Sequence, residues 1–222
     1  MVSARTAATR TGTPKPGLRE RKKVKTRQAI RRAAYRLFAE RGYDATPVDR
    51  IAEAADVSPS TVFRYFPTKE DLVLTDEYDT VLATGLRSRP ADEPIVESVR
   101  RVTVEALHRL SPEDRTDLVQ RIRLVREVPA IRGRTAENTA RDTATICAVL
   151  AERTGRPADD LELRVVSAAV LAALQEAMLA WVAGAGTPGE GGTPGEDRTP
   201  GLEELVRLIH QTMDVLARGL TS

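Results

Sequence analysis

The stretch Ala54–Phe66, "AADVSPSTVFRYF", indicates the end of one helix, a tight turn and a short second helix. Ser58 is suited to cap the second helix because its hydroxyl can accept a backbone N–H, and Pro59 fits the first helical position. Such turns usually carry glycine, since the backbone swings to positive φ, but the turn residue here is Asp56. Aspartate tolerates the left-handed region better than most residues, so we expect an intact, slightly strained turn.

Two further helices are expected upstream of this turn. Apolar residues recur at helical spacing over Ile30–Phe38, and Gly42 follows as a C-terminal stop. Thr46 is expected to be the N-cap of the next helix, with Pro47 at its first position and Asp49 near its positive end. The result is three short helices in a row, of which the last two are joined by the tight turn.

The rest of the chain also has helical periodicity. Pro67 ends the third helix, and Thr68 with Asp71 forms a T-x-x-D pair that resembles a capping box. The segment Leu163–Ala185 is apolar on most sides, which is typical of a helix in the core or between subunits. No useful β pattern occurs, so the predicted fold is all-α with about nine helices. The later ones are expected at about 69–87, 93–110, 112–127, 129–154, 158–184 and 201–219.

Charge is unevenly distributed along the chain. Residues 1–70 hold 16 Lys and Arg against 7 Asp and Glu, a net charge of +9, and the remainder carries −7. A basic front suggests a polyanionic partner, although a disordered basic tail with no partner would give the same count. The single cysteine, Cys147, excludes an internal disulfide framework or a multi-cysteine metal site.

Other site types find little support. There is no run of 18 apolar residues and no signal peptide, so a cytoplasmic protein without a membrane segment is expected. Residues 186–201 contain TPG three times, but they lack the third glycine of a dinucleotide loop and the lysine of a P-loop. This stretch is interpreted as a flexible spacer. An enzyme is the weakest alternative, because His108, His210 and Cys147 lie far apart in the sequence. No metal or cofactor is expected.

The three-helix segment has the pattern of a helix-turn-helix that reads DNA. Val57, Val62 and Phe66 can pack inward against the first two helices, which leaves polar and aromatic residues outside. A helix of this width enters the major groove, where its N-terminal residues reach base edges.

The run "TRQAIRRAAYRLFAERGYDATPVDRIAEAADVSPSTVFRYFPTKEDL" (Thr26–Leu72) lies within a segment, residues about 20–72, that resembles the DNA-binding domain of the TetR family of bacterial repressors. The resemblance implies a homodimer that binds a palindromic operator and carries a larger C-terminal domain for ligand binding and dimerisation. It divides the chain into a disordered basic tail (1–18), a DNA-binding domain (19–68, with the helix-turn-helix at about 47–66) and a ligand-binding and dimerisation domain (69–222). The helices at about 158–184 and 201–219 would form the dimer interface.

Matching the family's motif position by position implies a set of DNA-contacting residues. Phe63 stands where the family usually has tyrosine, and Pro47 lacks a hydroxyl often present there, so two phosphate contacts are missing. Phe63 and Tyr65 could instead be packing aromatics, Arg64 a solvated charge and Lys69 an ordinary surface lysine. Charge adds Arg27 to the positions that the resemblance implies, capping adds Thr46, and the outer face of the helix adds Arg64 and Tyr65. The full candidate set is Arg27, Thr46, Pro47, Val48, Ser58, Pro59, Ser60, Thr61, Phe63, Arg64, Tyr65 and Lys69.

The C-terminal half has a looser resemblance. "RLVREVPAIRGR" (Arg123–Arg134), "AERTGRPADDLELR" (Ala151–Arg164) and Trp181 are similar to a TetR subgroup of acyl-CoA-like ligand-binding regulators, represented by the mycofactocin regulator. This resemblance implies a small hydrophobic effector, such as an acyl-CoA, that releases the repressor from DNA. A DNA-binding regulator without a small ligand is the alternative.

Effector cavities are mostly apolar with a few polar anchors, which suggests candidates for the wall. Each candidate could equally be an ordinary core or interface residue, and His108 a surface histidine. The candidates are Tyr78, His108, Arg121, Leu124, Val128, Leu174, Gln175, Met178 and Trp181, with Ile122, Arg123 and Glu176 as further possibilities.

Overall fold

The computed structural model describes residues 17–75, 78–184 and 201–219, without the side chains of Glu20, Tyr78 and Asp79. Within these ranges the regular structure is helical throughout, which confirms the all-α prediction. The ten helices are α1 (Leu18–Arg41), α2 (Val48–Ala54), α3 (Pro59–Tyr65), α4 (Asp71–Leu74), α5 (Tyr78–Arg87), α6 (Ile95–His108), α7 (Pro112–Glu127), α8 (Pro129–Thr154), α9 (Leu161–Gly184) and α10 (Leu202–Arg218).

The turn between α2 and α3 has the geometry that its sequence predicts. Asp56 has φ +55°, and it is the one non-glycine residue with positive φ in the described part of the chain. The N–H of Val57 donates to Ala52 O at 3.0 Å, which closes the end of α2. Ser58 caps α3 by accepting the N–H of Thr61 at 3.2 Å, and Pro59 is its first residue. The caps therefore fix the direction in which α3 leaves the turn.

The prediction for Thr46 is wrong. The N-cap of α2 is Pro47, with no side-chain cap, and the first helical residue is Val48. Thr46 is fully buried, and its hydroxyl donates to Gly42 O at 2.8 Å. The hydroxyl therefore serves the carbonyls at the end of α1 instead of the N–H groups at the start of α2.

The helix predicted over 69–87 is also different in the structure. The T-x-x-D pair is present, because Thr68 N donates to Asp71 Oδ2 at 2.9 Å and Asp71 N to Thr68 Oγ1 at 3.3 Å. Helix α4 nevertheless ends at Leu74, since Thr75 is extended with ψ 109°. Two helices, α4 and α5, therefore occupy the span in which the sequence favours one.

The core beneath α3 extends beyond the three N-terminal helices. Val62 and Phe66 pack with Ile51 and with the inner face of α1. The same cluster contains three consecutive residues of α4, together with Leu124 of α7 and Ile131 of α8. The boundary expected between residues 68 and 69 therefore runs through a continuous apolar core.

A second apolar core is formed by residues of the six helices α5 through α10. Trp181 is buried there, and its Nε1 donates to Gly201 O at 2.9 Å, which fixes the start of α10 against α9. Gly85 lets α5 approach α6 closely, because a Cβ at this position would clash with Val102. Cys147 is buried in the same cluster, and its thiol donates to Ala158 O at 3.3 Å.

Helix α9 combines a buried face with an exposed apolar one. Seven of its residues are buried, and it packs against α7, α8 and α10. By length and composition alone it is the one described helix apolar enough to cross a membrane. Its exposed side carries Leu161 and Val165, which are 72% and 58% exposed.

Two expected segments fall largely outside the described residues. These are the basic tail, 1–18, and the TPG spacer, 186–201. Of these segments only Gly17, Leu18 and Gly201 are described, and Leu18 already belongs to α1.

Candidate nucleic-acid interface and ligand cavities

Helix α3 presents a polar and aromatic face above a buried apolar underside. Val62 and Phe66 are buried, whereas Ser60 and Arg64 are exposed and the ring of Phe63 is 48% exposed. A single exposed apolar side chain is ordinary on a protein surface, so the ring of Phe63 is informative only together with its polar neighbours on this face. The outer face can therefore offer a guanidinium, a hydroxyl and an apolar ring to a groove.

The hydroxyls at the start of α3 are linked to one another. Ser58 Oγ lies 2.9 Å from both Ser60 Oγ and Thr61 Oγ1, in addition to capping the helix. Pro59 beside them is exposed. Ser58 is thus committed to local structure, and Ser60 is the hydroxyl most open to a partner.

The remaining residues of the implied DNA-binding set differ in how much they expose. The Arg27 guanidinium lies 5.1 Å from the Phe66 ring centroid, and that of Arg64 lies 5.5 Å from the Tyr65 ring. Tyr65 and Val48 are half-buried, with Tyr65 packed against the N-terminal core. Tyr65 is therefore in contact with the Arg64 guanidinium, and only part of its ring is open to another molecule.

Lys69 is half-buried and contacts Tyr43. Its ammonium donates to Tyr43 O and lies 4.1 Å from the centroid of the Tyr43 ring. Desolvation by burial lowers the pKa of Lys69. The Tyr43 hydroxyl in turn donates to Glu70 Oε1 at 3.0 Å, and burial raises the pKa of that phenol. Lys69 thus ties the end of α1 to the start of α4.

Pro47 and Thr46 stand side by side but differ in accessibility. Pro47 is exposed in front of α2, while Thr46 is buried behind it. The backbone N–H of Thr46 already donates to Tyr43 O at 3.2 Å, so this buried residue offers neither its hydroxyl nor its N–H to a phosphate.

Among the described residues, two cavities lie close to the junction between the N-terminal and C-terminal helices. The smaller, here called the α7–α8 cavity, has a volume of about 130 Å³ and is mainly bounded by α7, α8 and α9. The larger, here called the junction cavity, has a volume of about 370 Å³ and is bounded by α1, α5, α6 and α7. Arg121 and Met178 belong to the walls of both.

Some of the sequence-derived pocket candidates meet at these cavities. Leu174, Gln175 and Ile122 line the α7–α8 cavity, in addition to the shared Arg121 and Met178. Leu82, Thr135, Asn138 and Asp142 complete much of that wall without having been singled out in the sequence. Burial lowers the pKa of the Arg121 guanidinium, with the nearby Tyr35 phenol acting in the opposite direction.

Other candidates lie outside the walls of both cavities. Leu124 and Val128 pack in or against the N-terminal core, and Trp181 is part of the C-terminal core. His108 is exposed at the end of α6. Glu176 is exposed as well, and the side chain of Tyr78 lies outside the described residues.

Sequence reasoning did not single out Tyr35 or Leu118, which line the junction cavity. Tyr35 has the spacing of an ordinary core residue of α1, and only the docking of α7 brings it to a cavity. Within the described residues, no group of three His, Cys, Asp or Glu side chains is arranged to hold a metal ion.

Comparison with known proteins agrees with this geometry. Residues 30–75 match the model described as "Bacterial regulatory proteins, tetR family", and residues 93–191 match the "MftR C-terminal domain". The transcriptional regulator TcmR of Streptomyces glaucescens is 32% identical over 162 residues, which cover 70% of this chain and 72% of TcmR. LuxR of Vibrio harveyi is 48% identical over 50 residues, 22% of this chain and 24% of LuxR.

A solved structure extends the similarity of fold to most of the chain. The fatty acid degradation regulator FadR from Bacillus halodurans superposes with a TM-score of 0.54 at 21% identity, over 93% of this chain and 98% of FadR. Together with the match to TcmR and the two family models, the recognition helix and its caps identify this chain as a member of the TetR family of bacterial transcriptional regulators, with an MftR-type C-terminal domain.

Proposed function

We propose that the protein is a cytoplasmic transcriptional repressor that binds a palindromic operator as a homodimer and is released by a small hydrophobic effector. The exposed face of α3, with Phe63 and Arg64 above a buried underside, is the observation that carries this proposal. Membership of a family of transcriptional regulators supports this proposal over an enzymatic role.

In the proposed complex, α3 lies in the major groove. Arg64 is suited to a bidentate contact with guanine, and the ring of Phe63 to contact with a thymine methyl group. Phosphate contacts would come from the first turns of α1, where Arg19, Lys22 and Lys25 are exposed. These charges can offset the hydroxyl that Phe63 lacks, because phosphate contacts supply much of the affinity for DNA.

The proposed dimer uses the exposed side of α9 together with α10. Leu161 and Val165 on α9 and Val215 on α10 are large apolar side chains that face outward. Burying them against a second copy would remove apolar surface from water. Two-fold symmetry then places the recognition helices at half-sites about one DNA turn apart, which calls for a palindromic operator.

The α7–α8 cavity is our candidate for the effector pocket, and at about 130 Å³ it can hold only part of the acyl chain of an acyl-CoA or of a related apolar acid, the proposed ligand class. Leu74 links this cavity to DNA binding, because it lies in the cavity wall and also in the core beneath α3. A ligand that displaces Leu74 shifts α4 and with it the separation of the two recognition helices. By linkage, DNA must then weaken ligand binding by the same factor.

The test starts with operator discovery by selection of genomic fragments on the purified full-length protein. Anisotropy titrations at fixed moderate salt then compare the wild type with Arg64→Ala and with the exposed control Arg141→Ala on α8. We expect loss of about 1–3 kcal/mol of operator binding for Arg64→Ala alone. Absence of sequence-selective binding by the wild type would refute the DNA-binding function.

Addition of decanoyl-CoA, decanoate or 1-decanol to the bound complex tests the effector. We expect at least one of them to lower operator affinity measurably. If none of the three compounds changes operator affinity, the result would favour a regulator without a ligand of this class.

A further inference from the structure

The junction cavity lies between the DNA-reading unit and the C-terminal helices. Tyr35 and Arg31 enter its wall from α1, and Leu118 and Arg121 from α7. Its apolar side is built by Val81, Leu107, Leu110, Leu118 and Met178. A molecule in this cavity would therefore contact α1 directly, whereas the α7–α8 cavity has no residue of α1 in its wall.

The Tyr35 hydroxyl is the unusual group in this wall. Tyr35 is only 4% exposed, and its hydroxyl has no hydrogen-bond partner among the described residues. A buried hydroxyl is normally bonded, because leaving it unsatisfied forfeits its hydration without compensation. Tyr35 lines the junction cavity, and because its buried O–H has no protein acceptor, a small shift of the wall would let it donate to a bound ligand.

The charged groups around the Tyr35 hydroxyl are mainly cationic. Arg31, Arg32, Arg109 and Arg121 line the cavity, against two carboxylates, Asp114 and Asp117. Asp114 lies 3.9 Å from Arg32. Burial raises the pKa of both the Tyr35 phenol and Asp117, while Arg121 acts in the opposite direction on Tyr35. An added anion near Tyr35 and Arg121 would thus meet a favourable potential.

We propose that the junction cavity binds a small amphipathic monocarboxylate, whose carboxylate accepts hydrogen bonds from Tyr35 Oη and Arg121 and whose apolar part lies against Leu107, Leu118 and Met178. This inference rests on the proposed function, because it assigns an effector class to a site. A volume of about 370 Å³ is at the small end of ligand pockets and cannot enclose a whole acyl-CoA. Such an acid would fasten α1 to α7.

Calorimetric titration of the full-length protein without DNA tests the site. The probes are decanoate and 4-phenylbutyrate, with 1-decanol as the uncharged comparison. We expect both acids to bind, the alcohol to bind at least about tenfold more weakly, and Tyr35→Phe to weaken the acids by about tenfold, the effect of one charge-assisted hydrogen bond. Arg121→Met should weaken them further.

Two matched variants control the assignment. Tyr43→Phe makes the same substitution in the same core, at a hydroxyl bonded to Glu70 and outside the cavity wall, and it should leave acid affinity unchanged. Thr139→Ala changes the wall of the α7–α8 cavity and not that of the junction cavity, and it should also leave acid affinity unchanged. Tyr35→Phe should keep or raise the melting temperature, because it removes an unsatisfied hydroxyl, so its loss of binding cannot be attributed to unfolding.

Failure of both acids to bind would overturn the inference. Equal binding of 1-decanol, or unchanged acid affinity in Tyr35→Phe, would overturn it as well. The operator assay is independent of these outcomes. If an effector releases the operator through the α7–α8 cavity and the acids do not bind, the proposed function stands and the junction site is excluded. If the acids bind and no operator is found, the junction site stands and the proposed function is excluded.

Discussion

Arg134 Nη1 of α8 donates a hydrogen bond to Thr68 Oγ1, 3.1 Å away, in the segment that leads from α3 to α4. Thr68 also receives the N–H of Asp71, so its hydroxyl joins a helix cap to a helix of the C-terminal domain. This bond and the shared apolar core connect the DNA-reading helices to α8 beside the α7–α8 cavity.

The first prediction concerns this bond. Arg134→Met and Thr68→Val should each lower the free energy of unfolding by about 1 kcal/mol, and the double variant should lose less than the sum. Chemical denaturation of all four proteins measures the coupling. Arg141→Met, at an exposed position of the same helix, should have no effect. Additive losses would mean that the two side chains contribute independently.

The second prediction concerns the turn before α3. Asp56→Gly should raise the free energy of unfolding by up to about 1 kcal/mol, because glycine adopts φ +55° without steric cost. Asp56→Ala should lower it at the same φ. Thermal unfolding of the two variants measures the sign, and operator affinity should stay unchanged in Asp56→Gly. A destabilised glycine variant would show that the aspartate side chain stabilises the turn by itself.

The third prediction separates recognition from folding on α3. Phe63→Tyr should tighten operator binding, since it restores a hydroxyl that can reach a phosphate, and should leave the melting temperature unchanged because the ring is 48% exposed. Phe63→Ala should weaken operator binding at a similar melting temperature. Anisotropy across a salt series provides the measurement.

The matched control for Phe63 is Phe66, which lies three residues later and is the C-cap residue of α3. Phe66→Ala should unfold the domain or cost about 3–5 kcal/mol, because this ring is fully buried. If Phe63→Ala were equally destabilising, the ring would be a packing residue.

The fourth prediction concerns pH and the segment between α5 and α6. Arg89 Nε and Ser98 Oγ each donate to Glu93 Oε2 at 2.7 Å, and these bonds lower the pKa of Glu93 from 4.5 to about 2. The folded state therefore favours the carboxylate. Its stabilisation is complete above the ordinary pKa of 4.5 and is lost as pH falls toward 2.

Glu93→Gln should consequently lower the melting temperature at neutral pH, and the difference from wild type should shrink as pH falls below about 4.5. Thermal unfolding across a pH series measures it. Glu137→Gln, at an exposed position of α8, should follow the wild type throughout. A difference that grows on acidification would contradict the assignment of the charged form.

Features that depend on neighbours in the sequence were predictable. The Ser58 cap, the positive φ of Asp56 and the bounds of α7 and α8 all follow from local hydrogen-bonding and backbone preferences. The same holds for the inward and outward faces of α3, which one helical period determines.

Features that depend on docking between distant segments were not predictable. Thr46 has the pattern of a cap, but the end of α1 offers its hydroxyl a carbonyl. Lys69 has the position of a surface cation, but the Tyr43 carbonyl and ring lie within its reach. The wall of the junction cavity combines residues of α1 with residues of α7 that lie 79 to 93 positions later, and no local period encodes such a pairing.

The buried thiol of Cys147 has a practical consequence. It is the only cysteine of the chain, and its hydrogen bond to Ala158 O lies where α8 turns toward α9. A thiol reagent can therefore reach Cys147 only when the connection between α8 and α9 opens. At increasing reagent concentration, the labelling rate approaches the rate of this local opening. The labelling rate of this one native thiol therefore measures how often the C-terminal helices open. It can be compared with and without DNA or ligand, and no engineered label is needed.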